Sequence, residues 1–180
     1  MIARKNIEIF SGRAYACAKG ETEMRRIVVI LVAGLFFLSG FSTFAADENA
    51  AAKNQATGLI DKAVAHIKKV GTEKAFKDFT DKNGGFVDGA FYIFVVDFKG
   101  LTLAHGGNPG LVGQSMLDLK DADGKYFIQD FIKVAKEKGA AWVDYKWSNP
   151  TTKKVEPKST YVKRYEGSDY FLGCGIYLKN

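Results

Sequence analysis

Few residues of this sequence have the type and spacing that catalysis or metal binding requires. The chain has two histidines, His66 and His105, and two cysteines, Cys17 and Cys174, which make a zinc cluster or a catalytic triad hard to assemble. It contains no Gly-x-Ser-x-Gly elbow, phosphate-binding loop, His-Glu-x-x-His or haem-attachment Cys-x-x-Cys-His motif. We therefore expect neither enzymatic activity nor a cofactor.

One acidic segment has part of the spacing of a calcium-binding loop. Asp121, Asp123 and Gly124 match positions of an EF-hand loop, and Asp130 falls at its last ligand position. Leu119 occupies the first ligand position, however, and aspartate is shorter than the usual bidentate glutamate. The simpler interpretation is that Asp121 or Asp123 caps the following helix, and no bound metal is expected.

The charge of the chain does not indicate nucleic-acid binding. The formal net charge is +6, but the first 45 residues hold six cations and three anions, so the remainder carries only +3. Its lysines are dispersed rather than clustered on one segment, which is not the pattern of a nucleic-acid interface.

The N-terminal residues predict export. Met24, Arg25 and Arg26 precede an apolar run over residues 27–38, and small residues lead to a cleavage position after Ala45. We predict a signal peptide over residues 24–45, with an uncleaved membrane anchor as the alternative, and a periplasmic or secreted location.

The predicted signal peptide divides the chain into three parts. Residues 1–23 are interpreted as an upstream extension from a mis-assigned start, and residues 46–180 form a single domain large enough for its own core. Cleavage would remove Cys17, so no internal disulfide is expected and Cys174 is interpreted as a small buried hydrophobe.

Hydrophobic periodicity in the mature part predicts an α+β domain. Thr72 is expected to cap the second helix after Gly71 ends the first, and the helices are expected to pack on one face of an antiparallel sheet of about five strands. The predicted helices cover residues 50–70, 72–79 and 125–138, the last as a crossover, and the predicted strands cover 91–96, 101–105, 142–147, 159–165 and 170–178.

The order of several short segments resembles that of the single Cache domains, extracytoplasmic sensor modules with a PAS-like fold. The resemblance covers about residues 50–180. The matching segments are Phe91 to Asp97 with Gly100, Leu103-Ala104-His105 leading to Pro109 and Gly113, Asp123-Gly124-Lys125, Trp142 to Trp147 with Pro150, Pro157 to Tyr161, and Gly173 to Tyr177.

This resemblance implies noncovalent binding of a small organic acid or amino acid in a pocket beside the sheet. A buried carboxylate needs a cation and hydrogen-bond donors. Lys158 is the candidate cation, and alternation along the third strand puts Tyr145 and Trp147 on one wall. The candidate ligand-binding residues are Tyr92, His105, Tyr145, Trp147, Lys158 and Tyr161.

The chain ends at Asn180, right after the last predicted strand, so it resembles a free-standing Cache domain. Such a domain would pass the occupancy of its pocket to a separate partner, such as a membrane sensor or a transporter, in signal transduction or chemotaxis. The alternative is a periplasmic structural or protein-interaction module, in which the same aromatic residues are only core. The sequence predicts neither the identity of the ligand nor the oligomeric state.

Overall fold

The computed structural model describes residues 41–179, with side chains from residue 48 onward, and these residues form an α+β domain. Residues 1–23 and most of the predicted signal peptide lie outside the described residues. Within the described part, no helix has both the length and the apolar character needed to cross a bilayer. The elements are α1 Phe41–Val70, α2 Thr72–Thr80, β1 Val87–Asp88, β2 Phe91–Tyr92, β3 Phe94–Asp97, β4 Thr102–His105, a 3-10 turn Pro109–Leu111, α3 Phe127–Glu137, β5 Ala140–Ser148, β6 Val155–Arg164 and β7 Tyr170–Tyr177.

Five strands form one antiparallel sheet in the order β4-β3-β7-β6-β5. Helix α3 connects β4 to β5, the two edge strands, and this confirms the predicted five strands and helical crossover. The strand predicted over residues 91–96 is interrupted at Ile93, whose N–H donates to the Phe86 carbonyl and whose carbonyl accepts from Gly106 N–H. The residues before this interruption, β2, pair instead with β1 in a separate hairpin.

The helices cover both faces of the sheet, so the prediction that they pack on one face is wrong. Helices α1 and α2 pack on the face that carries Val95 and Leu172, whereas α3 packs on the face that carries Phe94 and Phe171. The physical reason is that successive side chains of a strand point to opposite faces. Continuous apolar runs such as Phe94-Val95-Val96 therefore need cover on both sides.

The predicted helix caps are also wrong. Gly71, with φ +79°, occupies the N-cap position of α2, and no side chain caps that helix. Helix α3 has Tyr126 at its N-cap, again without a side-chain cap. The Asp121 carboxylate instead accepts backbone N–H bonds from Asp123, Lys125 and Lys146, which ties the loop before α3 to strand β5.

Candidate functional site

A cavity of about 320 Å³ opens at one end of the sheet, between the ends of β2, β4 and β5. Its volume lies within the range of small-molecule sites, about 300 to 1,000 Å³. The turn between β5 and β6 forms part of its rim, and there Lys153 adopts a left-handed backbone conformation with φ +62°. The residues that line it are Tyr92, His105, Gly107, Asn108, Trp147, Ser148, Pro150 and Lys153.

Lys158 lies one hydrogen bond behind the floor of this cavity. Its side chain is only 1% exposed, and its Nζ donates to the Tyr92 hydroxyl oxygen at 2.6 Å. The Nζ also lies 4.1 Å from the centroid of the Tyr92 ring and 4.7 Å from that of Tyr177. No carboxylate of the described residues pairs with it. Burial therefore lowers the pKa of Lys158 to about 7.

Glycine on the neighbouring strand makes room for the Lys158 side chain. Lys158 in β6 stands opposite Tyr177 in β7 and opposite Tyr145 in β5. Gly175 presents no side chain on the same face, and a Cβ there would overlap Lys158 Cε and Thr160 Oγ1. The cation is thus enclosed between aromatic rings and a bare stretch of backbone.

His105 forms the other part of the floor and is uncharged. Its Nδ1 accepts a hydrogen bond from the Asn108 backbone N–H at 2.9 Å, so in the neutral ring the proton is on Nε2. Burial, reinforced by the charge of Lys158, lowers the pKa of His105 to about 3. The ring lies 5.0 Å from that of Tyr92 and 5.8 Å from that of Phe94. Because β4 ends at His105, the glycines that follow allow the backbone to approach Tyr92, and a Cβ at Gly107 would lie 2.7 Å from that ring.

A smaller chamber lies deeper, against α3, and shares Tyr92, His105 and Trp147 with the outer cavity. It measures about 10 Å³, hardly room for one water molecule. Tyr145 closes it, with its ring stacked 4.6 Å from that of Phe127 and its hydroxyl oxygen accepting from Thr160 at 3.2 Å. Burial raises the pKa of Tyr145, so its hydroxyl is neutral.

The structure brings together five of the six candidate residues and separates the sixth. Tyr92, His105, Tyr145 and Trp147 line the two cavities, and Lys158 adjoins them. Tyr161 instead packs on the α1 face of the sheet, 5.4 Å from the ring of Trp142. The signal was present in the sequence, because residues three apart on a strand point to opposite faces.

Sequence reasoning did not assign Tyr177 and Asn108 to the site. Tyr177 covers Lys158, and its hydroxyl donates to the Ser148 carbonyl at 2.8 Å, which joins the end of β7 to the cavity wall. Side-chain alternation along β7 puts Tyr177 on the same face as Gly175, and this pattern could have predicted that Tyr177 belongs to the site. Asn108 contributes the backbone N–H that orients His105, and no side-chain pattern predicts such a contact.

Cys174 does not take part in the chemistry of this site. It is fully buried on the α1 face, and burial raises the pKa of its thiol to about 12. The thiol is therefore protonated at any physiological pH, and a protonated thiol is a poor nucleophile. The prediction that Cys174 is a small buried hydrophobe is confirmed.

Comparison with known proteins identifies the fold and the family. Residues 48–180 match the family model "Single Cache domain 2". A sensor histidine kinase of Rhizobium johnstonii, MctS, is 33% identical over 87 residues, which cover 48% of this chain and 19% of the kinase. The chain thus spans less than a fifth of the curated relatives it matches.

Two solved structures have the same fold. A methyl-accepting chemotaxis protein from Vibrio parahaemolyticus superposes with a TM-score of 0.64 at 24% identity, covering 75% of this chain and 94% of that one. A Cache chemosensory domain described as the structural basis for carboxylic acid recognition has a TM-score of 0.62 at 22% identity, with coverages of 74% and 98%. The PAS-like α+β fold is therefore confirmed, and this chain belongs to the single Cache domain 2 family of sensor domains.

Proposed function

We propose that this protein is an extracytoplasmic sensor that binds a small organic carboxylate in the cavity above Lys158. One observation carries the proposal: the buried ammonium of Lys158 has no carboxylate partner among the described residues. An unpaired buried charge destabilises the folded state, and a bound anion would compensate it. The cavity that leads to this charge is open and large enough for a small molecule.

The donors at the cavity floor suit a carboxylate. The Tyr92 hydroxyl accepts its hydrogen bond from Lys158 and keeps its own proton, which a carboxylate in the cavity could accept. His105 offers a second donor at Nε2, because its Nδ1 is occupied by Asn108. The two rings lie 5.0 Å apart, so both donors could serve the two oxygens of one carboxylate, and the nearby cation would strengthen both bonds.

The walls of the cavity favour a small ligand with an apolar end. Trp147 and Pro150 present apolar surface to the outer cavity, while the inner chamber is filled by aromatic rings. A two- to four-carbon acid would satisfy both parts without displacing the core. The neighbouring solved structure described in terms of carboxylic acid recognition supports this ligand class in the same fold.

The relatives support a role in signalling rather than in catalysis. The curated relatives are a sensor histidine kinase and a methyl-accepting chemotaxis protein, and both names describe signal transduction. By this proposal the domain lies in the periplasm or outside the cell, is not an enzyme, and passes occupancy to a separate membrane sensor or transporter.

Binding of small acids to the purified protein tests the proposal. Thermal shift and titration calorimetry with acetate, propionate, pyruvate and lactate should detect at least one ligand, with methylamine as a control of the wrong charge. A ligand at 100 times its dissociation constant stabilises the protein by about 2.7 kcal/mol. Trp147, which lines the cavity, should report binding by a change of fluorescence, whereas Trp142 lies on the other face.

A matched pair of variants separates the site from a general effect of charge. Lys158→Met should abolish binding, whereas Lys163→Met should not. Lys163 lies on the same strand but pairs with Asp61 of α1 at 2.8 Å. A well-folded protein that binds none of these acids would contradict the proposal and favour the protein-interaction alternative.

A further inference from the structure

The direction of the hydrogen bond between Lys158 and Tyr92 depends on whether the Lys158 amine is protonated. With a protonated ammonium, Lys158 can only donate, so the Tyr92 oxygen accepts and the phenol O–H is left for another acceptor, either the Tyr177 oxygen or a bound anion. A neutral amine is a good acceptor and a weak donor, and a phenol is the stronger donor of the two. Loss of the proton would therefore turn the Tyr92 O–H toward Lys158 and present an oxygen lone pair to the cavity.

That reversal would change what the cavity floor can bind. With the phenol O–H directed into the cavity, Tyr92 and His105 both donate, and an anion is attracted. With the phenol lone pair directed into the cavity, a carboxylate would face an oxygen acceptor and no nearby positive charge. The same two side chains thus form an anion site in one protonation state and oppose an anion in the other.

The other ionisable groups around Lys158 do not substitute for it near neutral pH. They come from every strand that packs against it: Tyr92 from β2, His105 from β4, Tyr145 from β5, and Tyr177 with Cys174 from β7. Burial raises the pKa of the three tyrosines and the thiol, and it lowers that of His105 to about 3. All five are neutral between about pH 5 and about pH 9.

Two further charged residues, Glu156 and Lys153, lie near the site, and neither replaces Lys158 as its titrating group. Glu156 shares the face of β6 with Lys158, but its two carboxylate oxygens accept from Asn149 at 2.7 Å and Thr152 at 2.6 Å. Lys153 is on the exposed rim, where solvent screens it. Lys158 is therefore the group of this site, among the described residues, whose charge state can change near neutral pH.

We propose that the sensor binds its carboxylate together with a proton held by Lys158, so that occupancy of the site depends on both the anion concentration and the pH. This inference rests on the proposed function and specifies how that site is regulated. Since the product of anion and proton concentrations is proportional to the undissociated acid, the protein would report the acid form of its ligand at alkaline pH. At acidic pH the site is already protonated, and it would report the anion alone.

Titration of the purified protein with the acid that binds, from about pH 6 to about pH 9, tests the inference. The small acids named above are anions throughout this range. The dissociation constant should be nearly constant well below pH 7 and should rise about tenfold per pH unit well above it, reaching about a hundredfold its low-pH value at pH 9. Calorimetry in buffers of different ionisation enthalpy should detect uptake of about half a proton at pH 7 and nearly one at pH 8.

Two variants distinguish titration of Lys158, with the resulting reversal of its hydrogen bond to Tyr92, from other causes of pH dependence. Lys158→Arg keeps the cation without its titration, so any binding that it retains should not vary with pH. Tyr92→Phe removes the hydroxyl that is hydrogen-bonded to Lys158. It should weaken binding at pH 6 and make the dissociation constant less dependent on pH. Because either variant can disturb packing, the wild-type pH profile and proton uptake are the deciding measurements.

The outcomes separate this inference from the proposed function. Carboxylate binding with the same dissociation constant at pH 6 and pH 9, and without proton uptake, would overturn the inference and leave the proposed function standing. Absence of carboxylate binding at every pH would overturn both. A pH dependence that persists unchanged in Lys158→Arg would assign the proton to another group and would also overturn it.

Discussion

Replacing Lys158 by methionine should stabilise the unliganded protein. A pKa of about 7 in the folded state, against an ordinary value of 10.5, means that the protonated side chain costs the fold about 5 kcal/mol below pH 7. Methionine has a similar length and no charge, and it adapts to irregular space. Its introduction removes one hydrogen-bond partner of Tyr92, which costs about 1 to 3 kcal/mol.

The net gain at pH 6 is therefore about 2 to 4 kcal/mol. For a domain of this size the gain corresponds to a rise in the melting temperature of about 6 to 12 °C. The gain should depend on pH in a defined direction. Lys158 binds its proton less tightly in the folded than in the unfolded protein, so wild-type stability increases between about pH 7 and about pH 10.5. The advantage of the methionine variant should shrink over the same interval.

Urea unfolding of both proteins at pH 6, 8 and 10 measures this difference directly. Lys163→Met is the matched control, because it removes an exposed ion pair with Asp61 and should change stability by less than about 1 kcal/mol. A Lys158→Met protein that is less stable than wild type at pH 6, by the same amount at every pH, would refute the view that Lys158 is an unpaired buried cation. That result would also remove the main support for the anion site.

Two further substitutions test the arrangement around Lys158. Gly175→Ala should destabilise the protein by about 1 to 3 kcal/mol and weaken carboxylate binding at least about tenfold, because the added Cβ would overlap Lys158 Cε and Thr160 Oγ1. Unchanged affinity, measured by calorimetry, would argue against the enclosure of Lys158. Tyr161→Phe should leave the dissociation constant within about twofold of wild type and the stability within about 0.5 kcal/mol, because Tyr161 lies on the α1 face. Loss of ligand binding in that variant would show that its assignment to this face is incorrect.

The elements of this fold are predictable from local patterns, because helical spacing and β-branched runs are properties of consecutive residues. Apolar residues at helical spacing predict α3, which the structure has over Phe127–Glu137. The interruption at Ile93 was not predictable in the same way. It depends on hydrogen bonds to Phe86 and Gly106, whose positions are known only once the strands are assembled. Packing of helices on both faces of the sheet could have been predicted from the sequence, because Phe94-Val95-Val96 is apolar on both faces.

The chemical types at the site were predictable, but their environment was not. A lysine just before a predicted strand is usually solvated. The structure instead places Lys158 within β6, and its burial there requires Gly175, which lies on a neighbouring strand 17 positions further along the chain. Strand register decides that proximity, and register follows from tertiary assembly. The hydrogen bond that orients His105 comes from a backbone amide, which is independent of the side chain at that position.

The stability cost of Lys158 and its proposed function have the same physical origin. A charge that is enclosed by tyrosine rings without a counterion weakens the fold, and apolar residues of similar volume would pack there at lower cost. Such a local conflict within an otherwise consistent core is expected at functional sites. A carboxylate bound at Tyr92 and His105 would neutralise the charge and offset part of the free-energy cost of burying Lys158. That offset would contribute to the affinity for the anion.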